Sequence, residues 1–199
     1  FSIAVLSRGY GRKSVGFKIA DSNSLPSEIG DEPFQFLKKH PKIKVVVSEN
    51  RVSGANKISK YNPEINLLIL DDVMQHRWLT PSHLILTTTY LRPFFNDFVL
   101  PLGSLREFKR GKKRAQTIII TKCPSNLTLQ NRVDFKNKIS LLHNQEIFFT
   151  KIKYSEIVLS YNQKLDFESL GSSKITLVTG IADSQPLVEF LYFKNISFN

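Results

Sequence analysis

Residues 67–72 read Leu-Leu-Ile-Leu-Asp-Asp, so four apolar residues run directly into two carboxylates. An apolar run without polar alternation is typical of a strand that is buried on both faces of a parallel sheet. At the end of such a strand, Asp71 and Asp72 could hold a magnesium ion that bridges to nucleotide phosphates. A plain strand followed by a turn gives the same pattern. Gln75, His76 and Arg77 follow after two further residues, and their hydrogen-bonding side chains favour a binding site.

Runs rich in Ile, Val and Leu recur along the chain, at residues 2–6, 43–47, 65–70, 84–88, 117–121, 147–151 and 175–178. Helical patterns lie between them, at residues 31–39, 51–60, 127–142 and 185–193. This alternation of strands and helices predicts an α/β fold with a parallel sheet.

The length of 199 residues suits one ordinary domain or two small ones. Five of the eight residues from Glu107 to Arg114 are basic, and a new apolar run follows them. We therefore expect an α/β lobe over residues 1–108, a linker over 109–116 and a smaller α/β lobe over 117–199.

The composition excludes a collagen, a low-complexity chain and a disulfide scaffold. A formal net charge of +11 predicts an anionic partner, such as nucleic acid, a phosphorylated substrate or an anionic membrane surface. The single cysteine, Cys123, fits a reducing, cytoplasmic setting. The chain starts at Phe1 without Met and stops at Asn199, and we expect both ends to be cuts through a larger protein.

The segment Ser7-Arg-Gly-Tyr-Gly-Arg12 follows the first predicted strand directly. Its two glycines would let the backbone approach a ligand closely, and its two arginines are suited to phosphate or sugar oxygens. Neither the P-loop pattern G-x-x-x-x-G-K-[ST] nor the dinucleotide pattern G-x-G-x-x-G fits the spacing. A basic turn after an edge strand remains the alternative.

Two further segments carry candidate residues. In Gly30-Asp-Glu-Pro33, Asp31 is either a helix N-cap or a general base for a hydroxyl nucleophile. The segment from Leu100 to Glu107 is either a solvated linker or a phosphate contact. The aromatic residues just before it belong either to the core or to an apolar face near an anionic membrane surface, and they are Tyr90, Phe94, Phe95 and Phe98.

Taken in order, these segments resemble one family, the tetraacyldisaccharide 4'-kinases, which phosphorylate the lipid A precursor. The matching text is Leu6-Ser-Arg-Gly-Tyr-Gly-Arg12, Gly30-Asp-Glu-Pro33, Asn50-Arg-Val52 with Ala55, Leu70-Asp-Asp-x-x-Gln-His76, Leu100-Pro-x-Gly-x-Leu-Arg-Glu107, Ile120-Thr-Lys-Cys-Pro124 and Gly180-Ile-Ala182. Each fragment is weak alone, but seven in order over nearly the whole chain are hard to produce by chance.

The resemblance implies a divergent P-loop kinase-like α/β/α sandwich with a second, smaller α/β lobe. It implies transfer of the γ-phosphoryl group of ATP, with Mg²⁺, to the 4'-hydroxyl of a tetraacyldisaccharide 1-phosphate. The implied location is the cytoplasmic face of the bacterial inner membrane, as a peripheral protein. The implied partners are the glycolipid substrate and an anionic membrane surface, and not nucleic acid.

The resemblance also implies roles for single residues. Asp71 and Asp72 resemble the family's magnesium-binding acid pair, and Asp31 resembles the carboxylate that acts with a histidine to activate the sugar hydroxyl. Arg8 and Tyr10 fall in the loop nearest the reacting groups. Five further residues resemble substrate-side or structural positions around the family's cleft, and they are Arg51, Gln75, His76, Arg106 and Glu107.

The chain departs from the family pattern in three places. The family's P-loop would fall before Phe1, and its Asp-His-His segment would fall beyond Asn199. We therefore expect residues 1–199 alone to be inactive or nearly so. Val73 also replaces the glycine that usually follows the two acids.

Two rival functions fit parts of the sequence. A nucleic-acid-binding module would account for the charge, but no recognised motif appears and the aromatic residues are not interleaved with basic ones. The second rival is a non-catalytic protein that binds the lipid A precursor or an anionic membrane surface. Binding of the lipid without binding of ATP would favour this second rival.

Overall fold

A computed structural model describes residues 1–155, 157–160, 163–170 and 174–199. The strands are β1 (Ile3–Ser7), β2 (Lys18–Ile19), β3 (Lys44–Val47), β4 (Leu67–Leu70), β5 (Ile85–Thr89), β6 (Thr117–Thr121), β7 (Glu146–Phe149), β8 (Ile157–Ser160) and β9 (Gln163–Asp166). The α-helices are α1 (Pro26–Ile29), α2 (Asp31–Lys39), α3 (Arg51–Tyr61), α4 (Leu129–Ile139) and α5 (Gln185–Phe193). In this part of the chain no helix has the length and apolar character needed to cross a membrane.

The first sheet has the strand order β2-β3-β1-β4, in which β3, β1 and β4 are parallel and β2 is antiparallel to β3. Its inner strands are covered on both faces because helices pack against them. Ala4, Leu6 and Val46 form a buried cluster with Ile58 of α3. The predicted α/β fold with parallel strands is confirmed here.

The second sheet is parallel, with the strand order β5-β6-β7. Its core contains Ile118 and Ile120 of β6 with Phe135 and Ile139 of α4. Tyr90, Phe94 and Phe95 pack against this core, whereas Phe98 is exposed. The sequence left open whether these four aromatic residues belong to the core or to an exposed face. In the structure three of them pack against the core and one is exposed.

Helix boundaries follow from local capping. The side chain of Asn50 accepts a hydrogen bond from the amide of Ser53, which satisfies a free donor in the first turn of α3. Thr128 caps α4 in the same way, and Ser140 ends it in a left-handed conformation at φ 54°. The helix predicted over residues 127–142 is therefore shorter at both ends.

Two expectations about strands were wrong, and three short strands were not predicted. The strands β4, β5 and β7 are not buried on both faces, because each lies at the edge of its sheet and exposes one or two of Leu67, Ile69, Ile85 and Phe148. The strand predicted over residues 175–178 is reduced to one isolated bridge between Ile175 and Phe198. The short strands β2, β8 and β9 were not predicted at all.

The predicted linker over residues 109–116 is not extended. Residues Lys109–Arg114 form a 3₁₀ helix in which Gly111 is buried. The strands on either side of it, β5 and β6, pair with each other. This segment therefore does not separate two sheets, and the division into lobes at residues 108 and 117 stays a prediction.

Candidate functional site

The carboxyl ends of β1, β3 and β4 meet because the three strands are parallel and adjacent, with Leu6 opposite both Val46 and Leu70. Ser7 and Asp71 therefore lie side by side, and the Ser7 hydroxyl donates a hydrogen bond to Asp71 Oδ2 at 2.9 Å. The other carboxylate oxygen, Oδ1, has no hydrogen-bond partner in the described part of the chain. Asp71 thus presents one free oxygen to a ligand.

Arg51 is the buried centre of this region, with 1% of its surface exposed. Its guanidinium donates to the carbonyls of Ser48 at 3.1 Å and of Asp71 at 3.4 Å, so it ties the end of β3 to the end of β4. Burial and the neighbouring charge of Arg8 lower the pKa of Arg51. The resemblance left a substrate-side role and a structural role open for Arg51. These contacts favour the structural role, because the side chain does not reach the surface.

Asp72 is engaged by a residue from a distant segment. Arg106 binds both carboxylate oxygens, at 2.7 and 2.9 Å, and this bond raises the pKa of Arg106. Asp72 itself has a left-handed backbone at φ 47°, and the following Val73 is buried. The two adjacent acids therefore differ, since Asp72 is paired and Asp71 keeps a free oxygen.

His76 lies close to the same charges. Its amide donates to the carbonyl of Val73 at 2.8 Å, which closes a turn directly after the acids. Partial burial lowers the pKa of His76, and the positive charges of Arg51 and Arg8 lower it further. The imidazole is therefore neutral near pH 7 and can accept a hydrogen bond or a proton.

Glu107 holds a second cluster in place. Arg114 donates to both of its carboxylate oxygens at 2.7 and 2.8 Å, and Arg77 approaches at 3.4 Å. Arg114 also donates to the carbonyl of Met74 at 2.9 Å, so the cluster is joined to the loop that follows β4. Because two arginines of the same chain bind the Glu107 carboxylate, a structural role is favoured over contact with the substrate.

The glycine-rich segment after β1 packs against the start of α2. Gly30 has φ 92°, and a Cβ atom on it would lie 2.9 Å from the carbonyl oxygen of Tyr10. Arg12 fixes the far side of the segment, where it donates to the carbonyl of Gly16 at 2.6 Å and pairs with Glu49. Asp31, the exposed first residue of α2, is thereby placed next to this segment.

A cavity of about 1000 Å³ lies between the edge strands β4 and β5. Apolar side chains of both strands line its interior. Five predicted site residues also line it, namely Asp71, Asp72, Gln75, Arg106 and Glu107. Arg8, Arg51 and His76 lie near these acids, since their charges interact with one another. Asp31 and Tyr10 are not among the residues that line the cavity.

Some contacts of the site were not predicted from the sequence. Ser7 had no predicted role, although parallel strands that end in Ser7 and Asp71 would place these two side chains together. Arg77 was predicted to lie beside the acids, but neither Arg77 nor Arg114 was predicted to bind Glu107. The sequence carries no signal for that pairing, because the partners come from different loops.

The donor set suits magnesium. No group of three or more His, Cys, Asp or Glu side chains within the described ranges could hold a metal ion. Magnesium does not need one, since proteins hold it through one or two carboxylates while water and phosphate oxygens supply the rest. The free Oδ1 of Asp71 fits this requirement, and Asp72 could contribute if Arg106 released it.

Comparisons with known proteins agree with one another. The family model described as "Tetraacyldisaccharide-1-P 4'-kinase" matches residues 1–199. The tetraacyldisaccharide 4'-kinase of Flavobacterium johnsoniae is 39% identical over 98% of this chain and 57% of its own length. The enzyme of the same name from Cytophaga hutchinsonii is 40% identical over 98% of this chain and 55% of its own length.

A solved structure is also similar. The crystal structure of LpxK from Aquifex aeolicus in complex with ATP superposes with a TM-score of 0.75 at 25% identity. The match covers all of this chain and 61% of that one. The divergent P-loop kinase-like α/β fold expected from the sequence is therefore confirmed, and the chain spans about half the length of the curated relatives it matches.

Proposed function

Because the chain belongs to the tetraacyldisaccharide-1-phosphate 4'-kinase family, we propose that its full-length protein transfers the γ-phosphoryl group of ATP to the 4'-hydroxyl of a tetraacyldisaccharide 1-phosphate in lipid A biosynthesis. The observation that carries this proposal is the convergence of Arg8, Asp71 and Asp72 at the ends of neighbouring parallel strands. In open α/β sheets, ligands bind in the crevice at the carboxyl ends of the strands.

Asp71 is the proposed magnesium ligand, with Asp72 beside it. Magnesium would neutralise charge on the transferring phosphoryl group when it is bound. Ser7 holds one carboxylate oxygen of Asp71, so that the other points away from this bond and is available. The bidentate pair with Arg106 orients the Asp72 carboxylate where both residues line the cavity.

Asp31 is the proposed base for the acceptor hydroxyl. Its carboxylate is exposed at the N-terminus of α2, where a sugar hydroxyl can reach it. Loss of the hydroxyl proton to Asp31 would let the oxygen form a bond to the γ-phosphorus while the bond to the β-phosphate oxygen breaks and ADP leaves. Arg8 and Tyr10, exposed on the adjacent segment, are the proposed contacts to the substrate on this side.

We propose a peripheral protein at the cytoplasmic face of the bacterial inner membrane, where it meets its glycolipid substrate and an anionic membrane surface. The formal charge of +11 supports attraction to anionic lipid. Gln75 and Arg106, which are both exposed and line the cavity, are the proposed contacts to the sugar or phosphate groups, together with the half-buried His76 beside Gln75 in the chain.

The test is phosphoryl transfer from radiolabelled ATP to tetraacyldisaccharide 1-phosphate by the full-length gene product. We expect Asp71→Asn and Asp31→Asn each to lower kcat/KM by about 100-fold or more, because each removes a charge placed at the reacting groups. The matched control is Asp134→Asn, on the exposed side of α4, which should retain full activity.

A full-length protein that binds the lipid but neither binds ATP nor transfers phosphate would contradict the proposal and support the non-catalytic alternative. Residues 1–199 contain no G-x-x-x-x-G-K-[ST] segment. We therefore expect these residues alone to show no transfer, and measurable transfer by them would contradict this expectation.

A further inference from the structure

The segment from Phe98 to Arg110 holds four large apolar side chains in solvent. Phe98, Leu100, Leu102 and Phe108 are between 61% and 85% exposed. Single exposed apolar residues are ordinary on a protein surface, but several within one short segment indicate an interaction surface.

This segment has a defined shape. The Asp97 carboxylate accepts hydrogen bonds from the amides of Phe98 at 2.7 Å and Ser104 at 3.2 Å, which draws the two ends of the loop together. The amide of Leu105 donates to the carbonyl of Phe98 at 3.0 Å. A Cβ atom on Gly103 would lie 2.6 Å from the amide nitrogen of Phe98, so only glycine permits this closure. The loop is closed by its own backbone, and the side chains of Phe98, Leu100 and Leu102 stay exposed.

Positive charges flank the apolar side chains. Lys109 Nζ lies 5.1 Å from the centroid of the Phe98 ring, and Arg110 Cζ lies 5.4 Å from that of Phe108. Glu107 is the only acidic residue from 98 to 114, and its charge is offset by Arg114. Apolar side chains bordered by Lys and Arg match the interface of a bilayer that contains anionic lipids.

We infer that Phe98, Leu100, Leu102 and Phe108, with the basic residues Lys109, Arg110 and Lys113, form a lipid-facing surface that inserts into the interface of an anionic bilayer. The surface adjoins the candidate site, since Arg106 in the same segment binds Asp72. The inference rests on the proposed function in one respect: a lipid acceptor must present its sugars to the acids while its acyl chains stay in the membrane.

The first experiment measures flotation of the full-length protein with vesicles, without ATP or substrate. Vesicles of phosphatidylcholine with about 30 mol % phosphatidylglycerol serve as the probe, because anionic headgroups attract basic residues near the surface. We expect the double variant Leu102→Ser with Phe108→Ser to bind at least about tenfold more weakly, because it removes apolar area that enters the bilayer. The matched control is Leu129→Ser with Phe193→Ser, two similarly exposed residues elsewhere, which should bind like the wild type.

The second experiment tests the charge. We expect Arg110→Glu with Lys113→Glu to abolish the preference for phosphatidylglycerol vesicles over pure phosphatidylcholine vesicles, because each basic residue near the surface contributes roughly fivefold in binding. Lys39→Glu with Lys42→Glu makes the same change of net charge at exposed positions outside the surface and should retain the preference.

Equal vesicle binding by the wild type and both surface variants would overturn the inference, and so would equal losses in the surface and control variants. Thermal unfolding of each variant checks that the protein is folded. A protein that fails to transfer phosphate but binds vesicles through this surface would contradict only the proposed function. The two failures are therefore distinguishable.

Discussion

Asp71 and Asp72 are neighbours in sequence, yet their carboxylates have different surroundings. Ser7 binds one oxygen of Asp71, and Arg106 binds both oxygens of Asp72. A hydrogen bond to an ionised carboxylate fixes its orientation and is stronger than one between neutral groups. Orientation at Asp71 therefore depends on a single hydroxyl, which can be tested alone.

We predict that Ser7→Ala and Asp71→Ala are coupled in stability. The hydrogen bond between the two side chains should appear as a coupling free energy of about 1.5 kcal/mol in a double-mutant cycle, because each single variant removes it. Urea unfolding of the wild type, the two single variants and the double variant gives this value. Ser27→Ala, at an exposed serine that does not bind Asp71, is the control and should add to Asp71→Ala without coupling. If the effect of Ser7→Ala on stability added to that of the Asp71 variant without coupling, as expected for Ser27→Ala, the prediction would be contradicted.

We predict that the pKa of His76 lies below the ordinary value of 6.5 and rises in Arg8→Ala. Burial disfavours the charged imidazole most, and Arg51 and Arg8 repel its proton. NMR titration of the ring protons measures this pKa, and Lys13→Ala in the same exposed loop is the charge-matched control.

The same shift predicts the sign of one pH effect on stability. Below pH 6.5 the unfolded chain takes up a proton on His76 that the folded protein resists, so this residue lowers the free energy of unfolding as the pH falls through that range. A folded-state pKa above 6.5 would contradict both statements.

Among the structural elements, the glycine-rich segment depends most on single residues. Gly9 and Gly11 both have positive φ angles, of 69° and 77°. They differ in their surroundings, since a Cβ atom on Gly9 would lie 2.7 Å from the carbonyl oxygen of Ile29, whereas one on Gly11 would meet nothing within 4 Å. Gly9 is thus required by both conformation and space, and Gly11 by conformation alone.

We predict that Gly9→Ala lowers the free energy of unfolding by roughly 3 kcal/mol and Gly11→Ala by about 1 kcal/mol. The left-handed backbone conformation destabilises both variants, whereas the close approach to Ile29 destabilises only Gly9→Ala. Urea unfolding of the two variants measures the difference. If both variants lost the same stability, the contact between Gly9 and Ile29 at the end of α1 would not contribute to stability.

At the scale of the whole molecule, the four-stranded sheet and the three-stranded sheet have separate cores. The second core is organised around Phe135, whose ring stacks on Tyr90 at 5.2 Å between centroids and meets Phe95 and Phe149 edge to face. The strands β5 and β6, on either side of residues 109–116, contribute to this one core.

We predict that Phe135→Ala lowers the free energy of unfolding by about 3–5 kcal/mol, because it leaves a cavity among three other aromatic rings. Phe193→Ala, which removes a ring that is mostly in solvent, should change stability by less than about 0.5 kcal/mol. Chemical denaturation of both variants provides the comparison. A small effect at Phe135 would mean that the second sheet does not unfold with the transition that is observed.

The sequence by itself determined the local structure. The apolar runs that became β1, β3, β4, β5, β6 and β7 were predicted within a few residues, and the bounds of α2 and α5 agree with the structure. The acids at the end of residues 67–70 and the motifs that identify the family were also visible, because each depends on residues close together in the chain.

The tertiary structure alone decided the rest. It paired Arg106 with Asp72 across 34 positions, buried Arg51, placed Phe98 in solvent and left β4 and β5 as edges. A local pattern specifies backbone conformation and the number of apolar residues, but not which distant segment lies beside a given side chain. That choice depends on strand order and register, and these determine which carboxylate oxygen remains free for a ligand.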